Sequence, residues 1–266
     1  MVKQLQFEGA KTQYKVTGSG PAVILVHGFL EEGSMWNGPV RSLSKSFKVI
    51  VPDLPGFGKS ELFSRELTMD VYAEYIYALA QKEKLKKFIL LGHSMGGYIT
   101  LYYAEKYGNT LSGFGLINSH CFADTDDKKA NRLKGIEHIK QYGTKVFVKE
   151  LYQSIFHPKF IKANKKLING MIAKALKYSP EGVMRANAAM MNRKDKSDAL
   201  VNAKVPVLLV NGKDDMSAPL PYTLKQASFA PISDVHFFSE CKHMSVFERS
   251  RETNKIIRDF CERVTR

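Results

Sequence analysis

Cysteine is scarce in this 266-residue chain: Cys121, Cys241 and Cys261 are the full set, and no two have Cys-x-x-Cys spacing. Three scattered thiols cannot make a disulfide framework, and they leave a thiolate zinc site without ligands. A reducing, cytoplasmic setting is the expectation. Long apolar runs are also missing. None approaches the roughly 18 residues that a membrane span needs. The opening stretch MVKQLQFEGAKTQYKV mixes charged and apolar residues from the start and has no apolar export signal. Internal repeats and low-complexity linkers are absent.

Acidic charge is in short supply. Lys and Arg number 40 against 26 Asp and Glu, a net charge of +14. The surplus is uneven: residues 120–199 hold 17 basic and 8 acidic residues, nine of the fourteen net charges. Basic surfaces can neutralise nucleic-acid phosphates. Here the bases are mixed with acids, and no tight Lys/Arg run is interleaved with aromatics. A solvated basic surface is therefore expected, with neither nucleic acid nor membrane as a partner.

Short apolar, β-branched runs ending in turn residues recur along the chain: Pro21–Gly28, Phe47–Asp53, Phe88–Gly92, Gly113–Asn118, Val205–Gly212 and Val235–Ser239. They read as buried strands. Val2–Phe7 and Gln13–Thr17 suggest an opening hairpin. Helical spacing lies between them over Thr68–Leu85, Met95–Tyr107 and Phe247–Val264. Buried strands alternating with helices predict an α/β fold, a mostly parallel sheet covered on both faces. The rhythm breaks over 120–199, where no buried strand is evident. Helices are expected there at Asp126–Tyr142, Thr144–Phe156, Lys159–Tyr178 and Pro180–Met191, with Asn169-Gly170 as the place where the third would split. The expected organisation is a core of residues 1–119 and 200–266 carrying a helical cap of 120–199.

The chemistry concentrates at strand ends. Residues 92–96 read Gly-His-Ser-Met-Gly after a strand and before a helix, the setting of a nucleophile elbow. A serine on such a tight turn needs small neighbours two residues before and after it, which Gly92 and Gly96 supply. Ser94 is the candidate nucleophile. Serine is a weak nucleophile and needs a general base. His243 follows the last strand and is the candidate. His236 lies inside a strand pattern, His120, His138 and His157 fall in the helical insertion, and the His93 side chain should point away from its neighbour Ser94. Asp215, after the strand VPVLLV, is the candidate acid, with Asp214 as its rival. The N–H of Met95, at a helix start, and of Phe29, after His27-Gly28, are the candidate oxyanion donors.

Together these residues resemble the α/β-hydrolase superfamily: HGF at 27–29, DLPGFGKS at 53–60, GHSMGG at 92–97, GKDD at 212–215 and KHM at 242–244. The resemblance implies an α/β-hydrolase fold with an inserted helical cap, and Ser94, Asp215 and His243 as the triad. It also implies Phe29 and Met95 as oxyanion donors and a structural Asp53. Ser94 sets the chain apart from branches with an Asp nucleophile, such as haloalkane dehalogenases and epoxide hydrolases. The stretch MMNRKDKSDALVNAKVPVLLVNGKDD is similar to its counterpart in small carboxylesterases and enol-lactonases. Glu31-Glu32 departs from the small or apolar residues expected there and bears on the acyl side of the pocket. The implied activity is hydrolysis of a small-molecule ester or thioester, with no cofactor and no metal. A carbon–carbon bond hydrolase or lyase of the same fold, or a ligand receptor with weak turnover, are the alternatives.

Overall fold

A computed structural model describes residues 1–265. Eight strands form one sheet: β1 (Val2–Phe7), β2 (Ala10–Thr17), β3 (Ala22–Val26), β4 (Lys48–Pro52), β5 (Phe88–His93), β6 (Leu111–Ile117), β7 (Val207–Gly212) and β8 (Ser233–Phe238). Their order is β1-β2-β4-β3-β5-β6-β7-β8. β2 pairs antiparallel with β1 and β4, and the pairings from β4 through β8 are parallel. This is the mostly parallel α/β sheet that the alternation of strands and helices predicts, and it agrees with the α/β-hydrolase fold that the resemblance implies.

Burial follows position in the sheet. Every residue of the inner strands β3, β5 and β7 is buried, whereas β1 alternates exposed and half-buried residues at the edge. Side chains along a strand alternate between faces, so β3 feeds two cores. Ile24 and Val26 join Tyr72, Ile76 and Leu79 of α2 (α1, Asn37–Leu43, precedes it; α2 is Met69–Lys82) and Ile99 of α3 (Met95–Tyr107). On the other face Val23 and Leu25 pack with Trp36, Leu43, Ile257 and Phe260. Thr68 caps α2 by accepting the Val71 N–H at 3.2 Å.

Between β6 and β7 the chain forms six helices: α4 (Asp126–Tyr142), α5 (Lys145–Ile155), α6 (Pro158–Ala163), α7 (Lys165–Ala175), α8 (Pro180–Met191) and α9 (Ser197–Val201). Thr125 and Ser179 cap α4 and α8. The split expected at Asn169-Gly170 lies elsewhere. The chain breaks at Asn164, which leaves helical angles (φ −126°, ψ 34°), and its side-chain amide donates to the Phe160 carbonyl at 3.0 Å. Gly170 has open space around it and sits inside α7. Three short helices were not legible from spacing: α1, α9 and α10 (Leu220–Gln226). The final helix is two, α11 (Ser245–Glu248) and α12 (Ser250–Val264), interrupted where Arg249 turns to φ −128°. No helix among the described residues is long and apolar enough to cross a membrane.

Candidate active site

Parallel strands bring their carboxyl ends to one edge of the sheet, and polar residues in the loops beyond that edge face a shared crevice. Ser94 follows β5, Asp215 follows β7, His243 follows β8, and Gly28-Phe29 follow β3. Ser94 has φ 51° and ψ −115°, a conformation that costs an L-residue roughly 1–3 kcal/mol. The elbow leaves no room for side chains beside it. A methyl on Gly92 would collide with the Gly96 carbonyl, and one on Gly96 with the Val26 carbonyl. The Ser94 carbonyl accepts from the Ser119 hydroxyl at 2.8 Å, which fixes the turn from the β6 side.

Ser94 Oγ lies 2.8 Å from His243 Nε2, and His243 Nδ1 lies 2.8 Å from Asp215 Oδ2. A carboxylate only accepts, so Nδ1 carries the proton and Nε2 is free to accept from the serine hydroxyl. Asp215 Oδ1 accepts the N–H groups of Ser217 at 2.8 Å and Ala218 at 3.0 Å. Burial pushes the Asp215 carboxyl up; the charge and hydrogen bond of His243, with those two N–H groups, outweigh it and hold the acid below its ordinary range. Asp214, by contrast, is exposed, and its N–H donates to the Cys241 carbonyl at 3.1 Å.

The amide N–H groups of Phe29 and Met95 have no acceptor among the described residues. Met95 opens α3, where the helix dipole adds positive potential. Phe29 is steadied by edge-to-face packing on Phe57 and Phe147, with ring centroids 6.1 and 6.2 Å apart. Asp53 binds backbone: it accepts from Gly33 N–H and Lys59 N–H, both at 2.9 Å, and so shapes the loop beneath Phe29.

Three sets of contacts escaped the sequence reading. Asn118, at the end of β6, donates to Asp215 Oδ2 at 3.2 Å and to the Lys242 carbonyl at 3.0 Å, tying acid and base loops together. A polar residue closing a buried strand was the available signal. Glu31 is buried; its Oε2 accepts the Gly28 N–H at 2.7 Å and faces His93 Nδ1 at 3.0 Å. His93 Nε2 lies 2.8 Å from the His243 carbonyl. Both ring nitrogens therefore meet acceptors, and a doubly protonated ring satisfies both. Burial pushes His93 down, but Glu31 overrides it and raises it above the ordinary histidine range. The pair links oxyanion loop, elbow neighbour and base loop. Third, α5 reaches the site by backbone contacts. Tyr152 hydroxyl donates to the Leu30 carbonyl at 2.8 Å, and the Ile155 carbonyl accepts the His243 N–H at 3.0 Å.

His236 sits half-buried on β8, 2.9 Å from Asp234, away from the serine. A cavity of about 640 Å³ opens over Ser94, walled by Phe29 and Tyr98 from the core and by His120, Lys128, Phe147 and Met190 from the insertion between β6 and β7. Among the described residues no group of three His, Cys, Asp or Glu side chains is placed to hold a metal ion.

Residues 21–250 match the model of the alpha/beta hydrolase fold family. The chain belongs to that family. This hydrolase is similar to a monoacylglycerol lipase of Bos taurus, 25% identical over 259 residues, with 91% of this chain and 76% of the relative covered. It is also similar to a 2-hydroxy-6-oxo-6-phenylhexa-2,4-dienoate hydrolase of Comamonas testosteroni, 26% identical over 265 residues, covering 93% of this chain and 90% of the relative. Among solved structures, a thermophilic esterase from Thermogutta terrifontis superposes with a TM-score of 0.93 at 28% identity, with 99% of each chain covered.

Proposed function

We propose that this hydrolase is a serine carboxylesterase acting on a small-molecule ester or thioester. The observation that carries the reading is the chain of two 2.8 Å contacts from Ser94 through His243 to Asp215, opening on a cavity beside two unengaged amide N–H groups. Ser94 attacks the ester carbonyl as His243 Nε2 takes its proton. Asp215 stabilises the resulting imidazolium, and the Phe29 and Met95 amides hold the oxyanion. His243 returns the proton to the leaving alcohol or thiol. Water then attacks the acyl carbonyl as His243 Nε2 takes one of its protons, and His243 returns that proton to Ser94 Oγ as the acid departs. Helices α4–α9 act as the cap that encloses the substrate, within the expected cap of residues 120–199 and its short extension to Val201. The esterase similarity at 28% identity supports the ester reading. Three free, buried cysteines suit a reducing compartment, and we place the enzyme in the cytoplasm.

A second reading is favoured by the Comamonas relative: cleavage of a carbon–carbon bond beside a ketone by the same three residues. One experiment separates them. The protein is treated with a fluorophosphonate and then given an ester panel of graded acyl length and a vinylogous 1,5-diketone acid. Labelling at Ser94 with ester turnover supports the carboxylesterase. Turnover of the diketone with esters left intact transfers the assignment to the second reading. Absence of labelling together with absence of turnover would overturn both.

A further inference from the structure

His120 is the one histidine of the cavity wall that the triad and its supports do not use. It is buried, at 1% exposure, yet neither Nδ1 nor Nε2 has a hydrogen-bond partner within the protein. A buried polar group left unpaired costs roughly 1–3 kcal/mol, and such groups are rare unless a ligand or water completes them. The ring is held by aromatic neighbours that offer it no polar atom in hydrogen-bond position. Tyr98, Tyr222 and Phe122 stand 5.6, 5.5 and 6.0 Å away between ring centroids. The backbone on either side is fixed as well: Gln226 donates to the Ser119 carbonyl at 2.9 Å and accepts the Cys121 N–H at 3.0 Å. Ser119 is itself bonded to the Ser94 carbonyl. His120 is therefore fixed at the wall of the cavity that holds the nucleophile, with both ring nitrogens covered until the wall gives way to a ligand.

The surroundings of His120 are cationic. Lys128 and Arg132 of α4 line the cavity with it. Lys128 Nζ donates to the Ser217 carbonyl at 2.8 Å and has no carboxylate partner among the described residues. Arg132 and Arg193 share the buried carboxylate of Asp124, Arg193 at 2.6 Å, while Arg193 also stacks 3.9 Å over Tyr98. One acid thus serves two guanidinium groups. Asp127, also on the cavity wall, is exposed. Burial first, and then Arg193, Lys128 and Arg132, push His120 well below the ordinary histidine range. The ring is neutral at neutral pH, with one N–H to donate, inside a field that favours an anion.

We propose that His120 and Lys128 form a recognition site for a carboxylate on the substrate, so that the preferred substrate is an ester carrying a second, free carboxylate. The carboxylate accepts the His120 N–H and the Lys128 ammonium, pairing groups that the protein leaves incomplete. Charge-assisted hydrogen bonds of this kind are the strong ones. A site built to hydrogen-bond its substrate also rejects an analogue that lacks the group. The inference rests on the esterase reading, which supplies the scissile ester.

The test compares kcat/KM for esters matched in length. On the acyl side these are a monoester of glutaric acid, its ω-hydroxy analogue and its ω-methyl analogue. On the alcohol side they are an acyl glycolate and the matching propyl ester. The expected result is that one arm favours the carboxylate over the methyl analogue by about tenfold or more, a difference of about 1.4 kcal/mol. The preference should shrink as salt rises from low to moderate. His120→Phe, which keeps an aromatic ring in the cluster, should lower the carboxylate-to-methyl ratio about tenfold. His120→Gln, which keeps a donor, should restore part of it. Lys128→Met should lower it and flatten its salt dependence, which a merely structural role for His120 would not do. A ratio near one in both arms overturns the inference, as does a ratio unmoved by Lys128→Met and His120→Phe, or a preference for the hydroxyl analogue. Hydrolysis of the methyl-capped ester by the unaltered protein, abolished by Ser94→Ala, stands apart as the test of the esterase reading. If that hydrolysis is present and the ratio is flat, only the carboxylate site fails.

Discussion

The carboxyl edge of the sheet and the helical insertion are built on different terms. At the edge, backbone approaches so closely that Gly92 and Gly96 tolerate no side chain, and Ser94, Asp215 and His243 are fixed by short contacts to buried partners. In the insertion the helices are cut from a strongly basic sequence, and α4 buries only Ile139 of its 17 residues. The edge has almost no freedom to vary without losing its geometry. The insertion touches the site through a few anchors, such as Tyr152 to Leu30, and otherwise supplies wall. The lesson is a division of labour. In the proposed reading, bond-breaking geometry belongs to the edge, and the choice of what is broken belongs to the helices.

Substitutions at the edge should give the largest effects. Ser94→Ala is expected to lower ester kcat by on the order of 10⁶ with folding intact, measured by steady-state kinetics beside circular dichroism. Wild-type turnover in a folded variant would break the contrast at its root. Asp215→Asn should cost about 10⁴ in kcat, because the amide offers His243 a donor and unsettles its tautomer. Asp214→Asn, at an exposed side chain, should cost far less kcat. The reverse ranking would move the acid to Asp214.

Glu31→Gln probes a support of the edge. Breaking the buried pair with His93 should destabilise the fold by about 3 kcal/mol in urea titration. The sign of its pH dependence follows from both partners. Glu31 is held below its ordinary value by His93 despite burial, so its contribution is present above the unfolded value and lost on acidification through the folded one. His93 is raised, so its contribution is present below the unfolded value and lost as pH climbs through the folded one. The stability gap between native protein and variant should therefore be widest between about pH 4.3 and 6.5, the unperturbed values, and narrow on the alkaline side. A gap that widens with rising pH would show that His93 is not the charged partner.

The smallest effect is expected from the insertion's anchor. Tyr152→Phe removes one hydrogen bond to the Leu30 carbonyl, worth about 1 kcal/mol. It should lower the thermal midpoint slightly and reduce kcat less than tenfold. A loss as large as that of Asp215→Asn would mean that α5 shapes the oxyanion loop as tightly as the sheet does.

Much of this was legible in the sequence because the signals were local. Buried strands announce themselves as runs such as AVILV and VLLVNG, and the fold follows from their alternation with helices. The elbow reads directly from glycines two residues on either side of Ser94. The geometry brings Ser94, His243 and Asp215 together, where the sequence could offer only their order along the chain. What stayed hidden was non-local. Asn118 and Asp215 are 97 residues apart, and His93 meets a carbonyl 150 residues away. No spacing rule encodes such pairs. The His93 side chain, expected to point away from the serine, makes an ion pair with Glu31 and meets the His243 carbonyl, partners that no local pattern announces. Glu31 was visible as an oddity beside the oxyanion turn; only the fold gives it a partner. The break at Asn164 rather than Asn169-Gly170 arose because a glycine with open space around it can stay helical, while an asparagine that bonds back to Phe160 ends the turn.

The central claim is that hydrolysis passes through an acyl group on Ser94. The most direct measurement mixes the protein with a chromogenic ester, quenches in acid within milliseconds, and weighs the intact chain and its peptides. The account predicts a burst of released alcohol matched by a mass increase of one acyl group, carried by the peptide that contains Ser94 and absent from Ser94→Ala. Product formed in the first turnover with no adduct on the chain, or an adduct mapped to another residue, would contradict it.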